Sequence, residues 1–322
     1  MYHCFGCVIC ALPCFIRGSR LHYPAPTFNP TESLIGVNSE KCTIWTGTPT
    51  MYIDMLSLAR QTGQSIDIDS RGIMAGSMCP EQLLLDLKEH VRCEVAVAYG
   101  TTENSPITTM STANDDLDQK TTTVGAVMPH TEAKVIDEQG AIVDRGKTGE
   151  LLIRGSCVFK GYFNEPEKTA KVIDQDGWYY TGDLAVMRDD GYVKIVGRNK
   201  DMIIRGGENI YPAEIEGVLL HHESIIDVQV VGVQSRRLGE EVFFWLFYRL
   251  YFILIKVAAY IRVKPGDEIT IEQVKAYAKA RLAYYKVPKF VKFVESYPLT
   301  VTGKIQKFEL RNQSPNDFDL DI

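Results

Sequence analysis

One stretch decides the fold: Gly191-Tyr-Val-Lys-Ile-Val-Gly-Arg-Asn-Lys-Asp-Met-Ile-Ile-Arg-Gly-Gly-Glu-Asn-Ile-Tyr-Pro-Ala-Glu-Ile-Glu216. It begins with a strand-like run, continues through the charged turn Asn199–Asp201, and resumes as an apolar strand that ends at Gly206-Gly207. Pro212 is placed to begin a helix, with two glutamates in its first turn, where the helix dipole favours acidic side chains. The order predicts two structural units joined at the charged turn.

Four further motifs follow one another along the chain. They are Tyr99-Gly-Thr-Thr-Glu103; Gly149-Glu-Leu-Leu-Ile-Arg-Gly155 with Gly161-Tyr-Phe-Asn164; Trp178-Tyr-Tyr-Thr-Gly-Asp-Leu184; and Pro298-Leu-Thr-Val-Thr-Gly-Lys-Ile305. In order and spacing, the five stretches resemble the motifs of the adenylate-forming acyl-CoA synthetases over roughly residues 1–312, and they are most similar to the medium-chain acyl-CoA ligases. The resemblance implies a ligase that converts a fatty acid, ATP and CoA into acyl-CoA, AMP and pyrophosphate.

The resemblance also implies an ATP/AMP site. Glu103 would hold Mg²⁺ and Thr102 would hydrogen-bond the phosphate, because adenylation brings two anions together and their charge must be neutralised. Asp183 would accept both ribose hydroxyls, since a carboxylate has two acceptor oxygens. The other positions are Tyr99 and Gly100 beside the adenine, Arg198 at the ribose, Gly76 and Ser77 in a turn near the adenine and acyl pocket, and His3 in the acyl-pocket wall. Outside this context, Thr-Thr-Glu predicts a helix cap equally well.

A second set of residues would serve the two half-reactions in turn. By resemblance, Lys304 would bring its charge to the reacting carboxylate and phosphate. Lys200 would be the hinge about which the small domain rotates after adenylation. The Gly206-Gly207 loop would then replace the lysine loop, because a loop without side chains lets the CoA thiol approach.

The glycine-rich phosphate loop of the family does not occur in these 322 residues. We therefore interpret the chain as beginning after that loop and lacking the first half of the large domain. Alone, the chain is not expected to form acyl-adenylate, because the backbone amides that cradle the phosphates would be missing. Two alternatives stay open: a catalytically silent product that retains nucleotide or CoA binding, and an adenylation module of peptide synthesis.

Composition predicts a packed protein that does not bind nucleic acid. Hydrophobic residues make up 45% and charged residues 24% of the chain, which permits a core. The net charge of −6 lacks the basic excess of a nucleic-acid surface. By family resemblance the enzyme would be mitochondrial, with a cytoplasmic location as the alternative. The sequence leaves the oligomeric state open.

Residues 4–14 contain four cysteines with the spacing of an iron–sulfur ligand run: Cys4, Cys7, Cys10 and Cys14. Apolar residues fill the intervals, and in such a segment a cysteine packs as a small hydrophobe. Because Pro13 precedes the last cysteine and no second run exists, packing is the favoured interpretation and no metal cluster is expected.

Phe243–Lys256 is a second anomaly, since 242–261 is apolar apart from Arg249 and Lys256. A membrane helix of this length is conceivable, but two central cations make a span costly. Removing the segment joins Val242 to Val257 as one continuous strand. Translated intron is therefore the favoured interpretation, with a membrane helix and a family-specific loop as alternatives.

The motifs divide the chain into successive segments. Residues 1–120 alternate strand-like and helical runs, which predicts a partial α/β layer. Residues 121–197 have short strands with Gly and Asp-Gly turns, which predict a small β-barrel. After the hinge, 198–201, residues 202–312 predict a small, mobile α+β domain, and 313–322 a polar tail. The predicted fold class is α/β plus α+β, the C-terminal part of the acyl-CoA synthetase fold.

Overall fold

The computed structural model describes residues 3–66, 70–76, 79–112, 114–205, 208–236, 253–300 and 305–318. It divides into an N-terminal unit, Met1–Val196, and a C-terminal unit, Gly197–Ile322. The architecture is mixed α/β with several separate sheets, which confirms the predicted fold class.

The first sheet of the N-terminal unit has the order β1-β2-β3-β4-β5. Its strands are β1 Ile44–Gly47, β2 Ser70–Met74, β3 Cys93–Tyr99, β4 Thr109–Met110 and β5 Ala126–Val127; its helices are α1 Leu12–Arg17 (after a π-helical turn, Phe5–Ala11), α2 Pro30–Ser39, α3 Pro49–Thr62, α4 Glu81–Val91 and α5 Leu117–Thr122. Strands β1 to β3 are parallel, and β4 and β5 are antiparallel additions. Strands and helices alternate along this region.

Helices α3 and α4 pack their apolar faces on this sheet. Tyr52 on α3 is buried, and its hydroxyl donates to the Trp45 carbonyl oxygen at 2.9 Å. Leu87 on α4 and Met74 on β2 have no exposed surface. Burying a side chain such as Leu87 or Met74 contributes about 1.5–3 kcal/mol, so this core stabilises the packing of the helices on the sheet.

The second sheet of the N-terminal unit has the order β6-β7-β8-β9. Its strands are β6 Thr131–Ile136, β7 Thr148–Gly155, β8 Tyr179–Met187 and β9 Val193–Arg198, with the short helix α6 Pro166–Ala170 between β7 and β8. We predicted a small barrel here, and that detail is wrong: among the described residues the sheet is open. The sheet has four strands, and in the described part of the chain its edge strands β6 and β9 do not pair with each other, so it does not close.

The C-terminal unit contains a hairpin and a three-stranded sheet of order β12-β13-β14. Its elements are β10 Ile203–Arg205, β11 Glu208–Ile210, α7 Pro212–Leu220, β12 Ile225–Arg236, β13 Ile253–Val263, α8 Ile271–Lys279, β14 Phe290–Phe293 and α9 Lys307–Asp317. Helix α7 begins at the predicted proline. Its residues Ile215 and Leu219 are fully buried with Val230 and Val257 of the sheet.

Residues 313–317 are not part of the polar tail that we predicted, because they belong to α9, which ends at Asp317. Ser314 is completely buried, and its hydroxyl lies 2.9 Å from that of Tyr260 on β13. The Tyr260 hydroxyl also donates to the Asp317 carboxylate at 2.9 Å. A polar sequence looked unstructured, but its polar groups are hydrogen-bonded to a buried tyrosine.

The suspected insert Phe243–Lys256 lies largely outside the described residues. Its last four residues belong to β13, where Ile253 pairs with Arg236 and Lys256 with Val233 of β12. The far end of the segment is thus regular strand, and the intron interpretation stays a prediction. Among the residues that the structure describes, no helix is long and apolar enough to cross a bilayer.

Candidate nucleotide site

The predicted phosphate motif forms a tight turn directly after β3. Thr101 caps a 3₁₀ turn at Thr102–Asn104, and the Asn104 side chain accepts a hydrogen bond from the Thr101 amide at 2.8 Å. Asn104 is fully buried and also donates to Thr108. A Cβ at Gly100 would overlap the Pro106 carbonyl oxygen, so the chain needs glycine there. The motif is therefore a capped turn: Thr101 caps it, and the Thr102 side chain is exposed to solvent.

Tyr99 and Asp183 join two motifs that lie 84 residues apart in sequence. The Tyr99 hydroxyl donates to Asp183 Oδ2 at 2.6 Å, and Asp183 is only 3% exposed. Burial, reinforced by the neighbouring carboxylate, raises the pKa of Tyr99 well above its ordinary value. Tyr99 therefore stays a neutral donor, and it orients the carboxylate that we predicted to bind ribose.

Two neighbours hold the backbone of Asp183. The Thr181 hydroxyl accepts from the Asp183 amide at 3.1 Å and donates to the Leu151 carbonyl at 2.7 Å. Gly182, with a positive φ of 71°, donates its amide to Glu150 Oε1 at 3.1 Å. Burial raises the pKa of Glu150, against the opposing effect of that hydrogen bond. Residues Thr181, Gly182 and Asp183 of β8 are thus held in place by hydrogen bonds to one another and to β7.

Glu103 is held by the segment that follows β7. The Tyr162 hydroxyl donates to Glu103 Oε1 at 2.9 Å, and the Phe159 amide donates to the Glu103 carbonyl at 2.8 Å. Burial and the bond to Glu103 raise the pKa of Tyr162 to about 12. Mg²⁺ is bound in nucleotide enzymes by one or two carboxylates together with substrate phosphates and water. The half-buried Glu103 carboxylate, oriented through one oxygen, fits that donor chemistry.

The N-terminal segment reaches the same turn. Cys4 Sγ lies 3.5 Å from the Thr102 hydroxyl and 3.8 Å from Nδ1 of His3, the predicted acyl-pocket residue. Cys10 Sγ lies 2.8 Å from the Thr46 hydroxyl, and burial raises the pKa of that thiol. No group of three His, Cys, Asp or Glu suited to a metal ion occurs within the described ranges.

The remaining predicted residues fall into two groups. Gly76 is exposed, with Thr48 as its nearest neighbour, and Arg198 and Lys200 are exposed at the start of the C-terminal unit. The predictions for Ser77, Gly206, Gly207 and Lys304 lie outside the described residues. The roles assigned to these positions stay predictions.

Sequence reasoning missed Tyr162, Glu150 and Thr181 as supporting residues. All three lie inside motifs that we quoted, next to or within two residues of a glycine. A polar side chain beside a glycine could have identified them, because such a side chain can hydrogen-bond the backbone where glycine lets the chain bend.

Two family models match the chain. Residues 1–163 match that of the AMP-binding enzyme, and residues 256–304 match that of the AMP-binding enzyme C-terminal domain. Among curated proteins, the chain is 43% identical to "Medium-chain acyl-CoA ligase ACSF2, mitochondrial" of Homo sapiens, over 99% of this chain and 50% of that protein. Its identity to the Danio rerio protein of the same name is 44%, over 99% and 51%. The chain spans about half the length of the curated relatives it matches.

Solved structures with the same fold include nucleotide complexes. ATP-bound MatB from Rhodopseudomonas palustris aligns with a TM-score of 0.81 at 28% identity, covering 98% of this chain and 59% of that one. The anthranilate CoA ligase AuaEII in complex with anthranoyl-AMP aligns with a TM-score of 0.79 at 27% identity, over 94% and 54%. The chain therefore belongs to the AMP-binding enzyme family, in which the matched relatives are named acyl-CoA ligases.

Proposed function

We propose that this chain carries the adenosine- and metal-binding part of an AMP-forming ligase that joins a fatty acid to CoA. The observation that carries the proposal is the 2.6 Å bond between Tyr99 and Asp183, because it presents a buried, oriented carboxylate beside the turn that bears Glu103. The names of the curated relatives support a medium-chain acid as substrate and a mitochondrial location.

Asp183 would recognise the ribose. A carboxylate has about four lone-pair sites, so the single bond from Tyr99 orients the group without saturating it. Accepting both ribose hydroxyls would fix the sugar and with it the α-phosphate, which is how binding energy distant from the reacting atoms helps to position them.

Glu103 and Thr102 would act at the phosphates. The Mg²⁺ ion supplies charge neutralisation of the phosphate oxygens when it is bound. Glu103 would be its protein ligand, kept in one orientation by Tyr162. The exposed Thr102 hydroxyl would donate to a phosphate oxygen, and the cap by Thr101 keeps the turn from rearranging.

The C-terminal unit would supply the groups that differ between the half-reactions. We infer from the family resemblance that Lys304 serves adenylation, that Gly206 and Gly207 admit the CoA thiol, and that Lys200 is the hinge between the two states. Attack of the thiol on the acyl-adenylate carbonyl would form the thioester bond and break the bond to AMP, and the thiol proton would be lost to solvent.

The ribose assignment is tested with two ligands and two variants of the 322-residue chain. AMP and 2′,3′-dideoxy-AMP are titrated by calorimetry into the wild type, Asp183→Ala and the control Asp189→Ala, which removes an exposed carboxylate of the same unit. Asp183→Ala should weaken AMP binding by at least about tenfold, the cost of a lost charge-assisted hydrogen bond. It should leave the weaker dideoxy ligand unaffected. Equal losses for both ligands would contradict the ribose role.

The acceptor is tested by supplying the activated acid directly. Octanoyl-AMP is mixed with the chain and either CoA or a primary amine, and octanoyl-CoA or the amide is measured by chromatography. The ligase proposal expects the thioester above the rate in buffer. Amide formed in preference to the thioester would favour the peptide-synthesis alternative.

A further inference from the structure

Helix α9 presents two cations on one face, and each contacts a carboxylate from a different segment of the C-terminal unit. Lys307 and Arg311 are four residues apart, so they lie on the same side of the helix. Lys307 Nζ lies 2.5 Å from Glu216 Oε1 on α7. Arg311 Nη2 lies 3.2 Å from Asp201 Oδ1 in the turn Asn199–Asp201.

The two ion pairs differ in burial, and therefore in what they do. The Glu216 side chain is 9% exposed, and its Oε1 also accepts the Val230 amide of β12 at 2.7 Å. Removing one partner of such a buried pair is strongly destabilising, so the pair with Lys307 is structural. Arg311 and Asp201 are 38% and 19% exposed. Exposed pairs contribute little to global stability, so the second pair needs another explanation.

The location of the Arg311–Asp201 pair supplies that explanation. Helix α9 begins at Lys307, three residues after Lys304 in sequence, and α7 follows strands β10 and β11, which flank Gly206–Gly207 in sequence. The turn that Arg311 contacts contains Lys200, the predicted hinge residue. One face of α9 thus contacts both the hinge turn, Asn199–Asp201, and helix α7.

We propose that Arg311 is a positioning residue that tethers the hinge turn to α9. The tether makes the hinge turn, α7 and the start of α9 one body within the C-terminal unit. The roles of the loops rest on the proposed function, whereas the tether itself rests on the contact between Arg311 and Asp201. Because the pair is partly exposed, raised ionic strength weakens it.

The amide of Met202 reports the state of the hinge turn. It donates to the Arg198 carbonyl oxygen at 3.0 Å, so it exchanges with solvent only when the turn opens. Hydrogen exchange at this amide is measured in the full 322-residue chain for the wild type, Arg311→Gln and Asp201→Asn. The conservative variant Arg311→Lys and the double variant with both Arg311→Gln and Asp201→Asn are measured alongside. Lys279→Gln, which removes an exposed cation from α8 of the same unit, is the matched control.

Arg311→Gln and Asp201→Asn should each speed exchange at Met202 about threefold to fivefold, the size of effect that a partly exposed ion pair supports. The double variant should exchange no faster than either single variant, because both remove one interaction. Arg311→Lys should keep most of the protection of the Met202 amide. Lys279→Gln should exchange at the wild-type rate. The urea midpoint should be the same in all variants.

Unchanged exchange at Met202 in Arg311→Gln would overturn the tether. Faster exchange spread evenly over β12 and β13 would also overturn it, because it would indicate a general loss of stability. The measurement needs no nucleotide, acid or CoA. Failure of the ribose or thioester tests would therefore contradict the proposed function without deciding the tether, and the reverse also holds.

Discussion

The bond between Tyr99 and Asp183 gives the sharpest prediction, since Tyr99→Phe removes one oxygen and leaves the ring in place. The lost bond joins the Tyr99 hydroxyl to the buried Asp183 carboxylate at 2.6 Å. Hydrogen bonds to charged groups contribute about 1.5–3 kcal/mol. We expect a loss of about 2 kcal/mol in the free energy of unfolding. AMP affinity should fall as well, because the Asp183 carboxylate, which we propose binds the ribose, is no longer held in one orientation.

The pH dependence of this loss follows from the raised pKa of Tyr99. A tyrosine whose pKa is higher in the folded protein contributes its stabilisation fully below the unfolded pKa of about 10 and loses it only as the pH rises further. The difference between the wild type and Tyr99→Phe should therefore be constant from pH 7 to about pH 9.

Urea unfolding and AMP calorimetry measure both effects. Tyr180→Phe, which removes a hydroxyl three residues before Asp183 in β8, is the control and should have little effect. A Tyr99→Phe protein as stable as this control, with unaltered AMP affinity, would refute the assignment of Tyr99 as the group that orients Asp183.

Two more predictions concern Tyr162 and Asp227. Tyr162→Phe should weaken Mn²⁺ binding in the ATP complex about tenfold, because Glu103 loses the hydroxyl that orients it and removing a partner of a metal ligand typically costs about that much. Electron paramagnetic resonance titration would measure the Mn²⁺ affinity. An unchanged affinity would contradict the prediction. Burial raises the pKa of Asp227 to about 6, so its neutral form stabilises the fold below about pH 4 and that contribution is lost as the pH rises through 6. Asp227→Asn should therefore gain stability relative to the wild type between pH 4 and 7, by up to about 3 kcal/mol for a shift of this size; parallel stability curves from urea titrations would disprove it.

Local chemistry in the sequence determined the elements that carry the site. The strand that ends near Tyr99, the apolar strand after the charged turn Asn199–Asp201 and the start of α7 at Pro212 could all be predicted, because apolar runs and a helix-starting proline act within a few residues. The same short-range signals identified the family, since its motifs are contiguous stretches.

Tertiary structure alone decided which motif residues touch. Tyr99 meets Asp183 across 84 residues and Tyr162 meets Glu103 across 59, and no periodicity encodes a pairing between distant segments. The same limit explains the errors. Strand signals between 121 and 197 do not determine whether a sheet closes. The polar residues of 313–317 do not reveal that Ser314 and Asp317 contact the buried Tyr260. Contacts of this kind depend on how the chain packs as a whole, which a local reading of residues cannot supply.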